Sequence, residues 1–304
     1  MDWNDLRHFV ALARNGSVRA AGVQLGVSHT TVARRVEALE AQLGTRLFDR
    51  HRDGYVLTAA GRRMLPAAER VEDEVAALGR GLVGQDARLE GPLRLTCGDE
   101  YLAALLLDDL APWCAENPGV ELTLVRDERF FNLAKGEADL AVRVLGAQTS
   151  PPDYLVGHRA APLQIAGYVA RAHADRLDPA GPAARWLGYT DPRAIHDLLS
   201  RGAFAPLPVW GAFSTLSLAV RAALCGLGCA LLPTYVGDLE PALQRMPCSP
   251  PHPVADIWLL YHPDLKSNAR LQGARAVLRA GFARRSALFG LPAEPGPRWP
   301  DSAP

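Results

Sequence analysis

Gly16, Gly26 and Gly44 cut the N-terminal stretch into three short segments, and that spacing constrains the fold more than any other feature. Leu6, Phe9, Val10 and Ala13 recur at i, i+3, i+4 and i+7, the spacing of one apolar helix face. Asn15-Gly16 predicts the end of that helix, because glycine enters the left-handed conformation without a Cβ clash. Ser17 is placed to cap a second helix through Ala20, Ala21 and Leu25, which Gly26 closes. Ser28 is placed to cap a third, with Val32, Val36, Leu39 and Leu43 on its apolar face and Gly44 at its end. Two short helices joined by a tight glycine-containing turn form a helix-turn-helix.

The polar face of the third helix carries the chemistry. Ser28, His29, Thr30, Thr31, Arg34 and Arg35 gather in its first two turns, and a recognition helix presents such N-terminal residues to base edges in the major groove. Threonine contacts either base type, and arginine grips guanine with two bonds, worth about 1–3 kcal/mol of discrimination. A solvated helix face with arginines there by chance is the alternative, and the continuation weighs against it. Leu47 and Phe48 read as core. Arg50-His51-Arg52 then leads into Asp53-Gly54, a strong hairpin turn signal, and Tyr55-Val56-Leu57. This is a wing, with Arg50 and Arg52 placed to rest on phosphate and position the domain without reading sequence. Residues 1–65 hold ten arginines against six carboxylates, although the whole chain of 304 residues is neutral. The local excess of positive charge suits DNA.

The run DLRHFVALARNGSVRAAGVQLGVSHTTVARRVEALEAQLGTRLFDR, followed by YVLTAAG, resembles the DNA-binding domain of LysR-type transcriptional regulators over about residues 4–61. The ordered elements are the aromatic of the first helix, G-S, A-A, V-S, L-E, L-G, L-F-x-R and L-T-x-x-G. The resemblance implies a helix-turn-helix over Val18–Glu37. Many relatives carry Gln at His29 and Ser at Ala33, so their operator does not carry over. GPLRLT, ENPGVELTLV, GEADLAVRV, CGLGCALLPTY and IWLLYHPDL resemble the effector domain of the same family more loosely.

Four parts are expected: a winged helix-turn-helix over 1–61, a linker and dimerisation helix over 62–90, an effector-binding domain over 91–291, and a disordered Pro-rich tail over 292–304. Leu65, Val71, Val75, Leu78 and Leu82 give the linker helix an apolar stripe, with Pro66 either kinking it or near its start. Pairing through that stripe would make a dimer and predict a roughly palindromic site. The fold class is thus α/β, with an all-α-type winged N-terminal domain and a C-terminal two-lobed, periplasmic-binding-protein-like clamshell.

Within the effector domain, strands are expected near Leu93–Thr96, Val120–Val125 and Ala138–Val144, with helices between, which implies a parallel α/β sheet. A second unit of the same kind is expected over Ile165–Ala170, Trp186–Tyr189, a helix at Ser214–Leu224 and a strand at Cys229–Leu232, before a return strand at Ile257–Tyr261 and a terminal helix near Leu271–Phe289. Ligands bind between such lobes, near strand ends and helix N-termini. Candidate effector contacts are Thr96, Asp99, Glu100 and Tyr101 in one lobe, Phe213, Ser214 and Thr215 in the other, and Arg143 at a strand end facing the cleft. Asp99 and Glu100 crowd a helix start that would otherwise favour an anion, which leaves a zwitterion or amine open. A plain capping role for Asp99 weighs equally.

No Ser-His-Asp arrangement, phosphate loop or metal-ligand spacing is visible, so neither an enzyme nor a cofactor is expected. The five cysteines form no CxxC pair. A redox switch at Cys225 and Cys229 weighs less than buried structural thiols. Asp2, Asp5 and Arg7 occupy the place of a signal peptide's apolar run, and no stretch suits a membrane span, so a cytoplasmic protein is expected. The expected partners are double-stranded DNA, a small-molecule effector, a second copy of the chain (dimer or tetramer) and RNA polymerase. An α/β enzyme with an accessory DNA-binding domain and an effector-independent architectural DNA binder are the competing functions.

Overall fold

The computed structural model describes residues 2–51, 54–84, 88–127, 133, 137–146, 149–189, 196, 199, 204–247 and 249–290. They form two compact units that part at Val83–Gly84. Among the described residues no helix is long and apolar enough to cross a membrane.

The first unit begins with α1 (Trp3–Asn15), α2 (Val18–Leu25) and α3 (His29–Leu43), followed by a hairpin of β1 (Phe48–His51) and β2 (Gly54–Leu57), and then α4 (Ala59–Gly84). Phe9, Val10, Leu12, Ala21, Val32, Val36 and Leu39 close its core, as the helical spacing requires. Leu47 and Phe48 join them, with Phe48 5.4 Å from the Phe9 ring. Asp2 caps α1 and Ser28 caps α3 through side-chain hydrogen bonds. Ser17 departs from expectation: it occupies the N-cap position of α2, but its hydroxyl makes no capping bond.

Gly54 shows why the turn needs glycine. Its φ is +139°, and a Cβ there would stand 2.4 Å from the Gly16 carbonyl oxygen. That close approach lets the Tyr55 N–H donate to the same oxygen at 2.8 Å, tying the wing to the end of α1. Glu40 anchors the other side of the wing. Its Oε1 accepts from the N–H groups of Leu47 and Phe48, at 2.7 and 3.0 Å. The helix α4 runs through Pro66 rather than starting at it, at the loss of one backbone hydrogen bond. Arg14 fastens α4 to α1 by bridging Glu69 and Glu72, at 3.0 and 2.8 Å.

The second unit contains β3 (Gly91–Cys97), α5 (Glu100–Glu116), β4 (Val120–Arg126), β5 (Leu140–Gly146), β6 (Val156–Ala170), β7 (Trp186–Tyr189), β8 (Val209–Phe213), α6 (Leu216–Leu224), β9 (Ala230–Pro233), α7 (Thr234–Gly237), β10 (Leu243–Arg245), β11 (His252–Tyr261) and α8 (Ala269–Arg284). Strand β3 pairs in parallel with β4 and β5, as the strand-helix-strand order implies. These belong to a seven-stranded sheet ordered β10-β6-β11-β5-β3-β4, with β9 also on β6.

The rest of that sheet is antiparallel. Strand β11 lies antiparallel to both β5 and β6. Strand β6 is 15 residues long; its first part pairs with β11, and from Ile165 onward it passes to β9 and β10. The expectation of a second parallel unit is therefore corrected for Ile165–Ala170, since β6 runs antiparallel to β9, whereas Cys229 keeps a parallel bridge to Trp186. Apolar runs announce strands but not their direction. A smaller parallel pair, β7 with β8, and a bridge from Trp186 to Cys229 complete the second lobe.

Helix α8 closes over α5 through one buried carboxylate. Asp109 accepts from Arg284 and Arg285, both at 2.7 Å. Gly281 makes room for it, since a Cβ there would stand 1.8 Å from Asp109 Oδ2.

Candidate functional site

The first candidate site is the start of α3. The Ser28 hydroxyl accepts from the Thr31 N–H at 3.1 Å and lies 2.8 Å from the hydroxyls of both Thr30 and Thr31. This network satisfies one orphan donor of the helix and holds three hydroxyls in one place. His29, Thr30 and Arg34 are exposed and Thr31 is half-buried. All four fall in the first two turns of α3, the part of a recognition helix that meets base edges.

Two of the expected arginines are engaged within the protein. Arg35 turns back to Asp5 at 3.2 Å, with Asp2 at 3.9 Å, and so braces α3 against α1 in the chain without DNA. Arg50 pairs with Glu37 at 2.5 Å and stands 5.6 Å over the Tyr55 ring. The hydrogen bond that Arg50 donates to the Glu37 carboxylate raises the Arg50 pKa above its ordinary value. Both partners of that pair are more than half exposed, so phosphate can compete for the guanidinium. Arg52 lies outside the described residues. Sequence reasoning missed Glu40 and Thr58. Thr58 donates to the Arg46 carbonyl at 2.8 Å and accepts from the Gly61 N–H at 3.1 Å. The interval from Thr58 to Gly61 in L-T-x-x-G was the available signal.

The second candidate site is a pocket of about 160 Å³ lined by Gly98, Asp99, Glu100, Arg126, Tyr189, Ser214, Thr215 and Leu216. Of the expected effector contacts it gathers Asp99, Glu100, Ser214 and Thr215. They arrive at the N-termini of α5 and α6 from opposite lobes. Arg126 ends β4 and Tyr189 ends β7; both were missed, although strand ends are where such folds bind ligands.

Asp99 has a structural task. It caps α5 by accepting from the Leu102 N–H at 2.7 Å and also accepts from the Tyr235 hydroxyl. Burial raises its carboxyl above the usual carboxylate range, against the pull of those bonds. Glu100 is different: its Oε1 is buried and accepts no hydrogen bond from any described residue. Across the pocket, Thr215 caps α6 through the Leu218 N–H at 3.3 Å, and the first turn of α6 holds no acidic residue.

Four expected contacts lie elsewhere. Arg143 is buried inside β5 and donates to the Thr96 carbonyl and hydroxyl, each at 3.1 Å, and to the Val142 carbonyl at 2.9 Å. It therefore clamps β3 to β5 instead of facing the pocket, and Thr96 is fully buried beneath it. Burial lowers the Arg143 pKa, against the attraction of nearby Cys97 and Asp127. Tyr101 and Phe213 are half-buried and pack on the main core. Burial also pushes the Cys97 thiol up to about 11. Cys229 is buried as expected, but Cys225 is exposed, and Cys248 lies outside the described residues. Among the described residues no metal-binding cluster occurs.

Comparison with known proteins agrees with this geometry. The family model "Bacterial regulatory helix-turn-helix protein, lysR family" matches residues 3–62, and "LysR substrate binding domain" matches residues 86–283. The HTH-type transcriptional regulator CrgA of Neisseria meningitidis is 25% identical over 280 residues, covering 88% of this chain and 93% of CrgA. The uncharacterized HTH-type transcriptional regulator YusT of Bacillus subtilis is 36% identical over 135 residues, but there the match spans under half of each protein, 44% of this chain and 45% of YusT. The full-length structure of the Vibrio cholerae virulence activator AphB superposes with a TM-score of 0.58 at 16% identity, over 92% of this chain and 99% of AphB. With both domain models in order along most of its length, the chain belongs to the LysR family of transcriptional regulators.

Proposed function

We propose that this regulator binds a specific DNA site through α3 and the wing, and that a small molecule in the pocket between the starts of α5 and α6 controls that binding. The single observation that carries the reading is exposed His29, Thr30 and Arg34, with half-buried Thr31, on a helix start capped by Ser28. His29, Thr30, Thr31 and Arg34 contact base edges, and Arg50 and Arg52 contact phosphate. Arg35 supports them from behind. The effector contacts are Asp99, Glu100, Arg126, Tyr189, Ser214 and Thr215.

Pairing of two chains follows from α4. Val71, Val75 and Leu78 are 41%, 40% and 71% exposed at i, i+4 and i+7, an apolar face uncovered in the single chain. A second copy of α4 is its natural cover, and a two-fold pair reads a roughly palindromic site. RNA polymerase is the further partner of such a regulator. A small molecule acts by binding one arrangement of the pair more tightly, and it shifts the equilibrium by no more than that difference in affinity.

The test is footprinting of the purified chain on the DNA upstream of its own coding sequence. The reading expects a protected, roughly two-fold symmetric site. Absence of protection there and in a selection from the whole genome overturns it.

A further inference from the structure

Helix α8 carries four arginines and no acidic residue. Two of the four are bound within the protein: Arg270 donates to the carbonyls of Arg88 and Glu90, and Arg284 donates to the Asp109 carboxylate. The other two, Arg275 and Arg279, pair with no carboxylate among the described residues. They stand four apart on one helix face, where like charges repel. With Gln272, Ala276 and Lys266 they line an open depression of about 290 Å³. No described residue of that lining is acidic, and none is shared with the pocket at the starts of α5 and α6.

The two arginines are held differently. Arg275 is half-buried, and its guanidinium carbon lies 4.0 Å from the centre of the Tyr261 ring, which is itself fully buried in β11. That stacking fixes the plane of the guanidinium. Its Nε is buried and bonds to no described residue, so only the Nη groups can meet a ligand. Arg279 is exposed and makes no hydrogen bond or ion pair among the described residues. Ala276 adds only a methyl group to the lining, which leaves the depression open.

We infer that this depression is a second ligand site and takes a phosphoryl dianion, free or as the monoester of a small molecule, gripped by Arg275 and Arg279. A phosphoryl group carries about −1.5 to −2 charge at pH 7 and three acceptor oxygens. That is enough for two guanidinium forks, whereas one carboxylate is satisfied by a single fork. A guanidinium already fixed by stacking loses less freedom when a ligand arrives. The volume admits a phosphoryl group with a small organic remainder.

The test is titration calorimetry of the full chain at constant ionic strength, with inorganic phosphate, glycerol 3-phosphate, glycerol and succinate as probes. The inference expects a phosphoryl probe to bind about tenfold or more tightly than glycerol or succinate. Tighter binding of glycerol 3-phosphate than of inorganic phosphate assigns the site to an ester, and the reverse order assigns it to the free ion. Arg279→Gln should weaken the phosphoryl probe about tenfold, the scale of a lost charged hydrogen bond, without changing the melting temperature. Arg275→Lys should weaken it similarly, because it keeps the charge and loses the planar fork. Arg221→Gln, which removes an exposed arginine of α6, should leave binding unchanged. Three results overturn the inference: no phosphoryl probe binds, succinate binds as tightly, or Arg279→Gln and Arg221→Gln have the same effect. A fourth is a weaker salt dependence of DNA binding in Arg279→Gln, which would give these arginines to the DNA backbone instead.

Discussion

The start of α3 and the pocket of the second unit are built in opposite ways. The first is local: Ser28, His29, Thr30, Thr31 and Arg34 fall within two helical turns, and one hydroxyl network holds them. The second is assembled from Gly98–Glu100, Arg126, Tyr189 and Ser214–Leu216, segments that only the sheet brings together. A local site survives changes far along the chain and answers to single substitutions within it. An assembled site depends on strand pairing and on buried clamps such as Arg143 on Thr96.

The largest expected effects separate the two units. Phe9 is fully buried against Phe48, so Phe9→Ala should cost the first unit about 3–5 kcal/mol. Calorimetry should show its transition lowered or lost while that of the second unit stays. A joint shift of both transitions would mean that the units unfold together. The reverse case is Asp109→Ala. It leaves Arg284 and Arg285 without their shared carboxylate and should lower the second unit by about 2–3 kcal/mol. That is less than for a fully buried pair, because Arg284 is 62% exposed.

Next come substitutions that sharpen the contrast within α3. Arg34→Ala should remove about 1–3 kcal/mol of discrimination at one base position and leave melting unchanged. Arg35→Ala should behave the other way. Its bond to Asp5 is lost, so thermal stability falls by up to about 1 kcal/mol and base preference is kept. Equal loss of base preference in both would show that Arg35 leaves Asp5 and reaches the DNA.

The smallest effect is chemical. Burial holds the Cys97 thiol at about 11, so its reactive thiolate is scarce below that pH. An alkylating reagent at pH 7–8 should modify exposed Cys225 and spare Cys97. Mass spectrometry of the digested chain reads the outcome.

This contrast also explains what the sequence makes legible. Helix boundaries in the first unit follow from Gly16, Gly26 and Gly44 because each takes a left-handed φ, at 62°, 68° and 66°. The capping by Ser28 is equally local, and the core role of Phe48 is legible from its apolar side chain. The pairing of Arg35 with Asp5 is not legible, because Asp5 lies on another helix and spacing along α3 does not reveal it. In the second unit, Asp99, Glu100, Ser214 and Thr215 could be found because helix starts are local features. Arg126 and Tyr189 could not be, since their place at the pocket depends on which strands become neighbours. Arg143 failed for the same reason: the strand was expected to end there, but β5 continues to Gly146 and buries the side chain against β3.

The most direct test of the central claim is a binding titration. Sites selected from genomic DNA would be compared with scrambled controls across salt concentrations, for wild type and Arg34→Ala. The account predicts tight, site-specific binding whose affinity falls linearly in logarithm with salt, because phosphate contacts release counterions. It also predicts that Arg34→Ala narrows the gap between site and control without changing the salt slope, since a base contact sets specificity and phosphate contacts set the slope. Equal affinity for selected and scrambled DNA in the wild-type chain would contradict it.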